Sequence, residues 1–224
     1  MTPRICVSIL PKTVPEAFRL IEKAEASHAD FLEIRLDCLE DCLENRCDLA
    51  DLAAYGKTPK IATDKVFRKI TEHRQMMLNA AKSGFEYIDL DLSIPKLEDS
   101  VKELKELGAK PIVSFHKFDG SLNISELNGI LEKEITSGAE VCKIVTAAKQ
   151  VEDNLTILNF TSEASNKTKV VCFCIGELGK VSRLLSPLFG GFFTFASLER
   201  GSETASGQFA IQEMKAAYEL LGQK

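Results

Sequence analysis

The chain of 224 residues contains eight short, apolar, strand-like runs, and this repeat constrains its fold more than any other feature. The runs are Ile5–Leu10, Phe31–Asp37, Lys60–Lys65, Tyr87–Ser93, Pro111–Phe118, Val141–Ala148, Lys169–Gly176 and Phe192–Leu198. They begin about 28 residues apart, and helix-like stretches separate them. Eight alternating strand and helix units are the number that closes a (β/α)8 barrel of about 250 residues. The repeat therefore predicts an α/β fold, a single (β/α)8 barrel domain spanning residues 1–224.

The stretches between the runs carry apolar residues at helical spacing. They are Val14–Ser27, Phe67–Ser83, Lys96–Leu107, Asn123–Ser137, Val151–Ala164, Leu178–Leu188 and Gly207–Leu221, and Leu39–Tyr55 is a less regular connection with one short helix. An open doubly wound sheet is the alternative fold. It usually has a glycine-rich turn after the first strand, whereas Leu10–Thr13 contains no glycine. The barrel is therefore favoured.

Composition excludes several classes of protein. A net charge of −5 gives no indication of electrostatic binding to nucleic acid. The longest uncharged stretch, Leu184–Leu198, is shorter than the roughly 18 residues of a membrane helix. The first strand-like run begins too early to leave room for a signal peptide. We expect a cytoplasmic protein with neither a nucleic acid nor a membrane partner.

The seven cysteines contain no C-x-x-C pair, and four of them lie in apolar runs. We interpret them as reduced core thiols rather than a disulfide framework. Cys172 and Cys174 share one face of their strand and are expected to line the lumen beside Lys143. Cys38, Cys42 and Cys47 have spacings that lack a zinc signature. No metal site is expected.

Ionisable residues recur on one face of several predicted strands. In the second run, Glu33 and Arg35 alternate with apolar residues. One face of a barrel strand meets the helices and the other meets the lumen, so the charged face is expected to point inward. The inward set is Glu33, Arg35, Asp37, Thr63, Lys65, Asp89, Asp91, Ser114, His116 and Lys143. A lumen built for stability alone would be aliphatic, so this set indicates a functional site.

Lys143 is flanked by small and apolar residues. Desolvation and nearby cations such as Arg35 or Lys65 would lower its pKa and yield a neutral amine able to form a Schiff base. The alternative is a lysine paired with Glu33, Asp89 or Asp91, and the sequence leaves both interpretations open.

His116 ends an apolar strand and is well placed for proton transfer. Asp89, on the preceding strand, is expected to hold its ring. A hydrogen-bonded core histidine is the alternative, whereas His28 and His73 lie in polar helical contexts and are expected at the surface.

The last third of the chain predicts an anion site. Gly176–Gly179 is a G-x-x-G turn before a helix, a weak indication of phosphate binding by backbone amides. Arg183 follows it and suits a bidentate pair with a carboxylate. The polar loop Thr204–Gln208 is expected at the rim of the same site.

These residues together resemble the type I 3-dehydroquinate dehydratases, the Schiff-base class. The matching segments cover nearly the whole chain: Glu33–Asp37 (E-x-R-x-D), Tyr87–Asp91, Ser114–Phe118 (S-x-H-x-F), Lys143, Gly176–Arg183 (G-x-x-G-x-x-S-R), Phe189–Phe195 and Gly207–Gln208. The resemblance implies dehydration of 3-dehydroquinate to 3-dehydroshikimate by syn elimination, the third step of the shikimate pathway to chorismate and aromatic amino acids.

In that chemistry Lys143 condenses with the C3 ketone, and His116 moves the C2 proton to the departing C1 hydroxyl. Arg183 binds the substrate carboxylate. The remaining substrate ligands implied by the resemblance are Glu33, Arg35, Lys65, Thr204 and Gln208. It also implies a homodimer and a reaction that needs no cofactor or metal.

The sequence departs from the family pattern after the third strand. Lys65 stands where the family usually has Arg, and Val66–Lys69 replaces a run that leads into E-G-G. Arg68 is a candidate to replace the missing contacts. Thr204 and Ser206 stand where Ser and Pro are usual. These changes bear on substrate affinity and on the rim loop more than on reaction type.

Two other functions compete. Another Schiff-base barrel enzyme, such as an aldolase of keto sugars, would share Lys143 but would normally need a phosphate site. A non-catalytic barrel serving as a binding module would explain the departures after strand three. The set of His116, Lys143 and Arg183 argues against that second alternative.

Overall fold

A computed structural model describes residues 2–40, 48–65 and 70–223, apart from the side chains of residues 70 and 71. The strands of the described chain are β1 (Ile5–Ile9), β2 (Phe31–Arg35), β3 (Lys60–Thr63), β4 (Tyr87–Asp91), β5 (Lys110–Lys117), β6 (Val141–Ala147), β7 (Val170–Ile175) and β8 (Thr194–Ser197). Its α-helices are α1 (Val14–Ala26), α2 (Leu49–Ala54), α3 (Ile70–Lys82), α4 (Leu97–Glu106), α5 (Ile124–Thr136), α6 (Asp153–Ala164), α7 (Lys180–Leu185) and α8 (Ile211–Leu220). Each predicted strand is present within about two residues of its expected ends. Among the helices, the N-terminal start of the predicted Phe67–Ser83 lies outside the described residues.

All the strand pairs are parallel, in the order β7-β6-β5-β4-β3-β2-β1-β8. The two ends of this order approach each other, and the Phe192 amide donates to the Val170 carbonyl at 2.7 Å. The sheet is therefore a nearly closed (β/α)8 barrel, as predicted, and the open doubly wound alternative is wrong.

Local sequence explains where the helices begin. The Thr13 side chain caps the amino terminus of α1. Pro15 lies in the first turn of this helix, where a proline is well tolerated. Asn123 and Glu126 form a reciprocal capping box at the start of α5. These caps end the loops that follow β1 and β5. Because the strands are parallel, the carboxyl ends of β1 and β5 lie at the same rim of the barrel.

The two faces of the strands divide as the alternation predicts. Leu32, Ile34 and Ile88 pack toward the helices in the larger apolar cluster. A second cluster fills the lumen with aromatic and aliphatic side chains, among them Phe31, Tyr87 and Phe193. This aromatic packing closes the amino-terminal part of the barrel and leaves the opposite end for polar side chains.

The cysteine predictions have a mixed outcome. Cys6, Cys38, Cys142, Cys172 and Cys174 are free thiols, whereas Cys42 and Cys47 lie outside the described residues. The expectation that Cys172 and Cys174 line the lumen beside Lys143 is wrong. They pack with Cys142 between the sheet and the helices, and the lumen side of β7 carries Val171 and Phe173 instead.

His73 also differs from its prediction. It is largely buried on α3, where Nδ1 lies 3.3 Å from Oδ2 of buried Asp64. His28 is exposed, as expected. No helix in the described ranges combines the length and hydrophobicity of a bilayer crossing.

Candidate active site

A cavity of about 400 Å³ opens at the carboxyl ends of the strands, where the polar side chains predicted to face inward converge. Its lining includes eight predicted site residues: Glu33, Arg35, Lys65, His116, Lys143, Arg183, Thr204 and Gln208. Asp89, the remaining one, is fully buried and contacts both Lys65 and Lys143. A larger surface groove of about 760 Å³, beside α4 and α5, contains none of these nine residues.

Asp89 is the centre of the buried charge network. Its Oδ2 accepts a hydrogen bond from Lys143 Nζ at 2.8 Å, and its Oδ1 accepts one from Lys65 Nζ at 2.8 Å. The Ser114 hydroxyl also donates to Oδ1, at 2.7 Å. Burial would raise the pKa of Asp89, but the charges of Lys143 and Lys65 hold that pKa far below its ordinary range. Asp89 is therefore a carboxylate at neutral pH.

Glu33 supplies a second carboxylate beneath Lys143. Its Oε1 lies 3.6 Å from Lys143 Nζ and accepts a hydrogen bond from Thr63 at 3.1 Å. Ser8 donates to the other carboxylate oxygen. Strand register explains this grouping, because Ser8 pairs with Glu33 across β1 and β2.

The pairing of Lys143 settles one alternative left open by the sequence. Its side chain is 5% exposed, and burial alone would lower its pKa. The carboxylates of Asp89 and Glu33 outweigh burial, so the pKa of Lys143 is raised. The prediction of a lowered pKa is wrong for the resting site. The aromatic ring of Phe195 lies 4.3 Å from Nζ and covers the amine on another side.

His116 lies on the lumen face of β5, as predicted, but Asp89 does not hold its ring. The Asp89 oxygens are occupied by the two lysines and Ser114, and no described residue hydrogen-bonds the imidazole. Phe118 stacks on it at a ring separation of 5.8 Å. Burial, together with the charges of Lys65 and Lys143, lowers the pKa of His116 to about 3. The ring is thus neutral at neutral pH and available to accept a proton.

Arg183 is a buried cation without a partner carboxylate in the described chain. It is 1% exposed, its Nε makes no hydrogen bond there, and a terminal nitrogen reaches the Ser206 carbonyl only at 3.5 Å. The guanidinium lies over the ring of Phe173 at 4.4 Å. Burial lowers its pKa to about 10, so the group stays charged at neutral pH. Such a group fits an anionic ligand in the cavity.

The predicted phosphate-type turn is not organised to bind an anion through its glycine amides. The Gly176 amide donates to the Ser206 carbonyl, and the Gly179 amide donates to the Gly176 carbonyl. Gly207 has a φ of +77°, and a Cβ there would meet the Gly176 carbonyl oxygen at 2.2 Å. The glycines thus let the rim loop dock on the end of β7. Of the features predicted to bind an anion in this part of the chain, Arg183 is the one that fits a ligand in the cavity.

The remaining rim residues are polar and pre-positioned. Arg35 forms two hydrogen bonds with Asp37, at 2.7 and 2.6 Å. Gln208 Oε1 accepts from the Thr204 amide at 2.7 Å, and Gln208 Nε2 donates to the Thr204 hydroxyl at 3.1 Å. Arg68 and the segment Val66–Lys69, where the family pattern is broken, lie outside the described residues.

Two residues of the site were not predicted from the sequence: Ser8, which contacts Glu33, and Phe195, which contacts Lys143. Ser8 could have been found, because it shares the lumen face of β1 with Cys6. Ser114 was placed on the lumen face but not recognised as a ligand of Asp89, since that contact depends on strand register.

Comparison with known proteins agrees with this geometry. Residues 5–224 match the family model described as type I 3-dehydroquinase. The chain is 33% identical to a 3-dehydroquinate dehydratase from Methanococcus maripaludis, over 97% of this chain and 99% of the relative. It is 34% identical to one from Coxiella burnetii, over 97% and 93% of the two chains.

Among solved structures, the 3-dehydroquinate dehydratase from Geobacillus kaustophilus superposes with a TM-score of 0.89 at 24% identity, covering 98% of this chain and 91% of that one. This likeness supports the barrel fold. The family model and the two relatives each match almost the entire chain, and the chain therefore belongs to the type I 3-dehydroquinase family.

Proposed function

We propose that the chain dehydrates 3-dehydroquinate to 3-dehydroshikimate through a Schiff base on Lys143, in the shikimate pathway. The observation that carries the proposal is one cavity that combines a buried lysine, a neutral histidine and an arginine without a carboxylate partner in the described chain. The covalent bond to the lysine supplies the activation, so the reaction as written needs no metal or cofactor.

Substrate binding follows from the charge of Arg183. The substrate carboxylate neutralises the guanidinium in a place where water is largely excluded, which makes the pair strong and directional. Arg183 lies on the helix that follows β7, and Lys143 lies on the adjacent strand β6. A substrate whose carboxylate is bound by Arg183 can therefore present its ketone to Lys143. Arg35, Glu33, Thr204 and Gln208 provide donors and acceptors for the hydroxyl groups of the ring.

Lys143 must lose a proton before it can attack. Asp89, at 2.8 Å, and Glu33, at 3.6 Å, are the nearest carboxylates to receive it. The amine adds to the C3 carbonyl, and loss of one water leaves a cationic imine. That cation takes the place of the ammonium between the same two carboxylates, so the network of buried charges stays balanced throughout.

The iminium withdraws electrons from C2 and acidifies its proton. His116 accepts this proton, and the resulting enamine expels the C1 hydroxyl, which leaves as water with the proton returned by His116. Addition of water to the conjugated iminium then releases the enone product and restores the amine. The low pKa of His116 keeps the ring neutral before the transfer and makes it a strong acid after it, which favours return of the proton to the departing hydroxyl.

We also propose a cytoplasmic homodimer. The five described cysteines are free thiols, which suits a reducing compartment. Leu155 and Phe189 are 62% and 40% exposed beside one surface pocket and are available for self-association. Light scattering is expected to give twice the mass of the chain, and a monomeric mass at micromolar concentration would contradict the dimer.

The reaction is tested by following the ultraviolet absorbance of the conjugated enone product with purified protein. Wild type and the control Lys110→Ala are expected to turn over 3-dehydroquinate, whereas Lys143→Ala loses at least about 10³-fold in kcat. Lys110 is a suitable control because it is a strand lysine paired with Glu86 at the opposite end of the barrel. No turnover by wild type, or turnover of a phosphorylated keto sugar instead, would overturn the proposal.

A further inference from the structure

Lys65 is a predicted substrate ligand whose charged group is already engaged by two buried partners. Its Nζ donates to Asp89 Oδ1 at 2.8 Å and to Ser114 Oγ at 3.0 Å. The Ser114 hydroxyl in turn donates to the same Asp89 oxygen at 2.7 Å. These three contacts close a triangle at the floor of the cavity.

This triangle fixes the orientation of the Asp89 carboxylate. One oxygen is held by Lys65 and Ser114, which directs the other oxygen at Lys143. The Lys65 side chain is 26% exposed, whereas that of Asp89 is fully buried. Withdrawing the Lys65 ammonium to bind substrate would leave Asp89 with one cation in place of two, at a desolvated position where such losses are costly.

We infer that Lys65 is a positioning residue, which acts through Asp89 to control the protonation of Lys143, rather than a ligand of the substrate. The inference rests on the proposed Schiff-base function. A positive charge beside Asp89 disfavours a second positive charge on the neighbouring lysine. Lys65 therefore helps Lys143 to release its proton, against the two carboxylates that favour the ammonium.

The titratable and charged groups that face Lys65 and Lys143 come from four of the strands and from α7. They are Cys6 from β1, Glu33 and Arg35 from β2, Asp89 and Asp91 from β4, His116 from β5 and Arg183 from α7. None of these groups donates hydrogen bonds to both Asp89 and Ser114 as Lys65 does. The effect of Lys65 can therefore be tested separately from the effects of the other groups.

The test is the pH dependence of imine formation, measured by mixing enzyme with 3-dehydroquinate, quenching with borohydride at short times and quantifying the Lys143 adduct by mass. Removing the charge in Lys65→Met raises the pKa of Lys143. The profile is expected to move about one pH unit to the alkaline side, which lowers the initial rate near neutral pH about tenfold. KM for the substrate is expected to stay within about twofold of wild type.

Two further variants separate charge from packing. Lys65→Arg keeps the charge and is expected to restore a near-wild-type profile. Lys65→Gln keeps a donor for Asp89 without the charge and is expected to show the alkaline displacement, which also provides the test if Lys65→Met does not fold. Lys110→Met, at the far end of the barrel, is the control and should match wild type.

The outcomes are distinguishable. Unshifted profiles with a KM raised tenfold or more in Lys65→Met and Lys65→Gln would make Lys65 a substrate ligand and overturn the inference, while the wild-type adduct would leave the proposed function intact. Failure of wild type to form any adduct would instead defeat the proposed function, and this inference with it.

Discussion

Replacing Arg183 by methionine is expected to stabilise the protein while it disables substrate binding. Burial lowers the pKa of Arg183 to about 10, and each unit corresponds to about 1.4 kcal/mol. Relative to the unfolded chain, where the guanidinium keeps its ordinary pKa, the folded state disfavours the charge by about 3 kcal/mol. This cost is fully present at pH 7, because that pH lies below both pKa values. Loss of the contact with Phe173 offsets about 1–2 kcal/mol of the gain.

The net expectation for Arg183→Met is about 1–2 kcal/mol of added stability, or roughly 2–4 °C in Tm for each kcal/mol. KM is expected to rise at least about thirtyfold, since a buried charge pair with the substrate is lost. Urea denaturation and steady-state kinetics measure the two effects. Arg35→Met is the contrasting variant and should destabilise, because it leaves the buried Asp37 carboxylate unpaired. An Arg183→Met protein that is less stable than wild type and has an unchanged KM would refute the reasoning.

Three other predictions follow from the geometry. His116→Ala should still form the borohydride-trapped adduct but lose at least about 10²-fold in kcat, and the wild-type kcat/KM profile should show no acid limb near pH 6.5, since the pKa of His116 is about 3; wild-type turnover in the variant would contradict its role. Burial raises the pKa of the fully buried Glu134 well above its ordinary range. The folded state therefore loses stability relative to the unfolded chain as pH rises from the ordinary pKa of a glutamate toward this raised pKa. In urea denaturation, Glu134→Gln should gain about 1.4 kcal/mol on wild type per pH unit above pH 5 until that pKa is reached, whereas the exposed control Glu132→Gln should run parallel to wild type. Gly207→Ala should lower kcat/KM about tenfold or more by displacing the rim loop, because its Cβ would clash with the Gly176 carbonyl; normal kinetics would show that the loop tolerates the shift.

The fold was predictable because a barrel strand presents one face to the helices and one to the lumen. In β2 and β4 this difference appears directly as alternation of apolar and charged residues, so the positions of Glu33, Arg35 and Asp89 followed from the sequence. In β7 both faces are apolar, and the pattern carried no information about which side Cys172 and Cys174 occupy. Their placement in the lumen was wrong for that reason.

The protonation of Lys143 could not be derived from its own strand. Burial lowers its pKa, and two carboxylates raise it. The balance depends on distances between residues of different strands, and Asp89 is 54 residues away from Lys143 in the sequence. The same applies to Lys65, whose role depends on Ser114 lying beside it. His73 was misassigned because its helix looks polar, while its partner Asp64 is buried at the end of β3.

The most direct test of the mechanism is the site of covalent attachment. Wild-type protein is incubated with 3-dehydroquinate, reduced with borohydride, digested and sequenced by mass spectrometry. One substrate-derived adduct is expected, on Lys143, and it should be absent from Lys143→Ala. An adduct on Lys65 or another lysine, or sustained turnover by Lys143→Ala, would contradict catalysis through an imine on Lys143.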